Sequence, residues 1–148
     1  MENMDRFISL MKEITQFFDA FQLIEKQKLE AAASNDILRL EEIMKKEQAE
    51  ILVLRGLERK QQEIQSQMGF SGLTFREMID RAPEQEKAEL ENLYSRLSES
   101  LDLFQKTTKS VKQTINLNLY AIQKALEKVE TKEISQTKET RSFTSRKV

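Results

Sequence analysis

An all-α fold is predicted: an antiparallel three-helix bundle or coiled coil with a short extra helix and an extended last helix. Three observations predict it. Apolar residues recur at steps of three and four through most of the chain, the spacing of a helix face. Only three Gly and one Pro occur in 148 residues, the profile of a long-helix protein. Apart from Gly56, the breakers and short polar clusters fall at Ser34-Asn35-Asp36, Gly69-Phe70-Ser71-Gly72 and Pro83.

The first helix is expected over about Glu2 to Ala33. Met4, Phe7, Met11, Ile14, Phe18 and Phe21 alternate three and four, and Leu10, Phe17 and Ile24 widen the stripe. Such breadth suits a bundle helix with two neighbours better than a two-stranded seam. Asn35 tolerates the left-handed backbone that stops a helix, and Asp36 or Ser34 can cap the next one. A break this short makes an antiparallel hairpin.

The second helix is expected from about Asp36 to Met68, with Ile37, Leu40, Met44, Ile51, Leu54, Leu57, Ile64 and Met68 as its stripe and Ile43 beside it. Gly56 inside this pattern costs roughly 1 kcal/mol against Ala, and close helix approach is the usual reason. A short helix follows. Thr74-Phe75-Arg76-Glu77 is a capping box, and Leu73 and Met78 stand at the positions of a hydrophobic staple. Pro83 suits the first position of the last helix, where Glu84 and Glu86 meet the positive end of its dipole.

The last helix carries one line of apolar positions: Leu90, Leu93, Leu97, Leu101, Phe104, Thr108, Val111, Ile115, Ile122 and Val129. All lie within about 40° of one line along the helix at 100° per residue. Running to about Glu130, this helix spans ~70 Å, against ~45–50 Å for each of the first two. The first helix goes up, the second comes down, and the last climbs again. It therefore passes the Ser34-Asn35 turn with ~15 residues, or ~20 Å, still to run. Ile115, Leu119, Ile122, Leu126 and Val129 share one face of that overhang, and Leu117 and Tyr120 sit on another. A helix apolar on both sides needs neighbours on both sides. The candidates are a foreign helix, a second copy of the chain, or the tail folding back.

From Thr131 the pattern stops. Residues 1–130 are read as one helical domain and 131–148 as a flexible, Thr-, Ser- and Lys-rich tail. Neither strands nor repeats are expected.

Composition removes most chemistry. The chain has no His and no Cys, hence no His-based triad, thiol nucleophile, disulfide or zinc knuckle. No Gly-rich loop could cradle a phosphate. An enzyme is not expected, nor any metal or cofactor. A net charge of -1 argues against nucleic acid as partner, which requires a basic surface. No stretch approaches the ~20 apolar residues of a membrane span, and the N-terminus lacks the form of a signal peptide. A cytoplasmic protein is expected.

Several pieces in order carry a family likeness: Glu25-Lys26-Gln27-Lys28, Ser34-Asn35-Asp36-Ile37-Leu38-Arg39-Leu40, Glu47-Gln48, Leu57-Glu58-Arg59, the break at Gly69, the Thr74 helix, and Asn118-Leu119-Tyr120-Ala121-Ile122-Gln123-Lys124-Ala125-Leu126. Over about Phe18 to Val129 the chain resembles the FlgN-like flagellar export chaperones, small helical proteins that guard hook-associated junction subunits before export. Their Asn-x-x-Asn pattern is met here by Asn118 but not at its first position, which is Ile115. The resemblance implies that the end of the last helix binds the partner: the C-terminal helical segments of the hook–filament junction proteins, with the export apparatus receiving the complex. The expected partner-binding residues are Ile115, Leu117, Asn118, Leu119, Tyr120, Ile122, Leu126 and Val129. A homo-oligomeric coiled-coil scaffold and an adaptor of another secretion system are the alternatives.

Overall fold

Asn35, at φ 56°, closes the first hairpin. It follows α1 (Glu2–Ala33). The amide of Asp36 donates to the Ala31 carbonyl at 2.9 Å and that of Asn35 to the Ala32 carbonyl at 3.2 Å, the paired bonds of a Schellman stop. The Asp36 carboxylate then accepts from the Arg39 amide at 3.2 Å and caps α2 (Ile37–Gln67). The computed structural model describes residues 2–136, and side chains for 2–129.

The second break repeats this device with glycine. Gly69 has φ 77°, and the amides of Phe70 and Gly69 donate to the Gln65 and Ser66 carbonyls at 2.7 and 3.1 Å. Buried Gln65 then donates its side-chain amide to the Phe70 and Leu73 carbonyls at 3.2 and 3.1 Å, pinning the loop to the end of α2. The capping box forms: the Glu77 amide donates to Thr74 Oγ1 at 3.1 Å, and the Thr74 amide donates to Glu77 Oε1 at 3.0 Å. That amide and hydroxyl hold the Glu77 carboxyl below its ordinary pKa. The box opens α3 (Phe75–Arg81). Leu73 packs on the core and Met78 is buried, as a staple requires. Pro83 stands one residue before α4 (Glu84–Gln136) rather than inside it, and its carbonyl accepts from the Glu86 amide at 2.9 Å.

The three long helices form the expected all-α antiparallel bundle, with α1 in the middle. Its apolar stripe is wide because it packs on both α2 and α4, while no Cα of α2 lies within 8 Å of a Cα of α4 among the described residues. Short α3 fills the base of the wedge between them. Phe75 meets Phe7 of α1 edge-on at 5.6 Å and Tyr94 of α4 at 5.5 Å, and Met78 and Ile79 are buried beside Leu57, Ile64, Leu90 and Leu93. Further up, Phe104 of α4 packs against Phe18 and Phe21 at 5.7 and 5.1 Å. Each such side chain contributes roughly 1.5–3 kcal/mol on burial.

Above the aromatic layer the interior turns polar. Ser100 donates to Asp19 at 2.6 Å, and Gln22 donates to Thr107 Oγ1 at 2.6 Å. Across α1 and α2, Lys28 bonds Glu47 at 2.9 Å. Buried Glu25 shares a proton with Glu47. Desolvation, then the hydrogen bond and the charge of that neighbour, push its carboxyl up to about 8.

Three expectations need correction. Gly56 faces open space, so no helix approach requires it. Along α2 only Ile43, Leu57 and Ile64 of the apolar positions are buried, whereas Ile37, Met44 and Ile51 are exposed. Those three are in seven-residue register with Gln65, which holds the loop before α3, and α4 stands too far from α2 to cover them. The helix also does not stop near Glu130 but continues to Gln136. The rest of the expected tail, 137–148, lies outside the described residues.

Candidate docking site

With 53 residues, α4 outruns α1 and α2, which have 32 and 31. The point where it leaves its support is fixed by one bond: Asn118 donates its side-chain amide to the Ala32 carbonyl at 2.5 Å. Beyond that point about 18 residues of helix remain, roughly 27 Å.

Along this length burial falls away. Val111 is buried and Ile115 half-buried on the side of α4 that meets the hairpin. Asn118 is half-buried against the end of α1. Past it Leu119, Tyr120, Ile122, Leu126 and Val129 are 49–59% exposed, and Leu117 is 68% exposed. Ile115, Leu119, Ile122, Leu126 and Val129 form one stripe continuous with the core-facing side of α4, while Leu117 and Tyr120 stand apart from it. The structure thus places six of the eight expected residues on open surface. Asn118 and Ile115 instead serve the junction between tip and hairpin. Their spacing signals this role: Phe104, Val111 and Asn118 are seven apart, on the line that α4 turns toward α1.

The charge around the stripe is one-sided. Between Asp102 and Glu127 the chain has Lys106, Lys109, Lys112 and Lys124 and no acidic residue. Lys106 bonds Asp102 at 2.9 Å and Lys124 bonds Glu127 at 3.6 Å; Lys124 also lies 5.5 Å from the Tyr120 ring centroid. Lys109 and Lys112 have no ion pair among the described residues. Among those residues no cluster of His, Cys, Asp or Glu could hold a metal, and no helix is long and apolar enough to cross a membrane. What the tip offers is an apolar helical stripe, with the unpaired ammonium groups of Lys109 and Lys112 just below it, a surface suited to a second helix.

The described residues make an all-α helical bundle with an uncovered apolar tip. The profile of the FlgN protein family matches residues 1–137. The chain belongs to that family, a family of flagellar export chaperones rather than of enzymes. Comparison with curated proteins and with solved structures gave no match.

Proposed function

We propose that this chain is a cytoplasmic export chaperone that holds hook-associated junction proteins by their C-terminal helical segments. It keeps them from assembling early and delivers them to the flagellar export apparatus. The overhang carries this reading: α4 leaves the hairpin at Asn118 and continues with its apolar stripe about half exposed. A free helix surface of this kind aggregates unless a partner covers it, and a client helix with an apolar stripe is what it fits. Gross burial of five or six such side chains is on the order of 10 kcal/mol. Ordering and desolvation offset much of this, leaving a micromolar-to-nanomolar contact. No cofactor takes part.

Calorimetry against a C-terminal fragment of a junction protein tests the reading. Ile122→Asp combined with Leu126→Asp abolishes binding and leaves helicity nearly intact; unchanged affinity removes the overhang from the site. Two overhangs could also pair in a homo-oligomeric scaffold. That reading requires a stable oligomer before any client is added, which a mass measurement in solution decides.

A further inference from the structure

The wedge between α2 and α4 is filled at its base by α3, and among the described residues no element follows α3 along it. Each wall is traced by positions seven apart that start at α3. On α4 the line begins at Tyr94, which packs on Phe75 of α3, and runs through Leu101, Thr108, Ile115, Ile122 and Val129. On α2 it begins at Gln65, which holds the loop before α3, and runs back through Glu58, Ile51, Met44 and Ile37. Both lines lose cover with distance from α3. Ile51, Met44 and Ile37 are 41%, 46% and 59% exposed. Leu101, Thr108 and Ile115 are half-buried, and Ile122 is exposed.

We infer that the client helix lies in this wedge, end to end with α3, and completes a four-helix bundle with Met44 and Ile51 of α2 as its second wall. The inference rests on the chaperone reading above and extends its site from the tip of α4 down to Leu101. Continuity with the α3 seat argues for a helix: α3 packs on Tyr94 of α4, Gln65 of α2 holds the loop that enters it, and the same two lines continue beyond it. From Leu101 to Leu126 the groove is roughly 38 Å long, room for a helix of about 25 residues. Charge fixes the rest of the client's chemistry. Lys112 borders the stripe and Lys109 stands one turn before it, both without acidic partners among the described residues, so the occupant is an amphipathic helix with carboxylates beside its apolar face.

The test uses the full chain and a C-terminal junction-protein fragment as probe. Met44→Asp with Ile51→Asp lies on α2, far along the chain from the tip. It weakens binding at least about tenfold while helicity and mass stay those of the parent, because both side chains are already open to water. Lys109→Glu with Lys112→Glu also weakens binding and removes the loss of affinity that added salt otherwise causes. A fragment that binds, is lost with Ile122→Asp and Leu126→Asp, and ignores the α2 pair overturns this inference alone. If the α2 pair instead dissociates a self-associated species, the occupant is a second copy and the inference fails. A fragment that does not bind at all overturns both readings.

Discussion

Asn118 donates to the main-chain oxygen of Ala32, so a side chain of the last helix closes the end of the first. The same oxygen accepts the Asn35 amide of the left-handed turn. One carbonyl thereby couples the hairpin stop to the point where α4 becomes unsupported. Asn118→Ala removes the longer-range of these two bonds. It is expected to lower unfolding free energy by about 1 kcal/mol, read from urea denaturation with unchanged slope.

The shared proton of Glu25 and Glu47 makes stability depend on pH. Glu25 titrates at about 8 in the folded chain against the usual 4.5, so the folded state holds a proton that the unfolded state has released. Stability therefore falls as pH rises from 4.5 toward 8 and levels off above. Glu25→Gln keeps a donor for Glu47 and removes the titration. The variant should gain on the order of 1–3 kcal/mol over the parent at pH 8 and show little change between pH 5 and 8 in denaturant midpoints.

Gly56 has nothing within 4 Å of where a β-carbon would sit. Gly56→Ala is expected to stabilise α2 by about 1 kcal/mol, seen as a higher thermal midpoint.

Thr74→Ala leaves the Glu77 amide without its acceptor and costs about 1 kcal/mol. Because α3 seats the base of the wedge, near-ultraviolet circular dichroism of Tyr94 is the local readout. A spectrum unchanged together with unchanged stability would show that the cap does not hold α3 in place.

Much of this architecture is legible from residue types alone, and the reasons are local. Asn35-Asp36 and Thr74 to Glu77 announce helix ends because their side chains bond backbone groups a few residues away. The overhang is legible because helix length and chain direction suffice to place it. The wedge is not. Periodicity says that Ile37, Met44 and Ile51 share a line, but only the separation of α2 from α4 decides that the line faces a gap. Buried Gln22, Glu25 and Gln65 are missed because polar residues on long helices are usually solvated, and the partners of Gln22 and Glu25 lie on other helices. Residues 131–136 lack Gly and Pro, so no stop signal marks them although the apolar pattern fades. Asn118 is legible as a polar position on the overhanging helix but not as the bond to Ala32 that marks where the overhang begins.

Past Asn118 no other element among the described residues braces α4, and so its end leans on its own helix propensity. A helical segment of about 18 residues in water is only marginally stable without packing. The winding of the tip therefore rests on its own propensity rather than on packing, and on the chaperone reading a client that docks there needs it wound. Grip strength then depends on how readily the tip winds. Ala121 and Ala125, good helix formers at positions off the stripe, set that readiness, and exchanging them for glycine would loosen the hold without altering a single contacting atom.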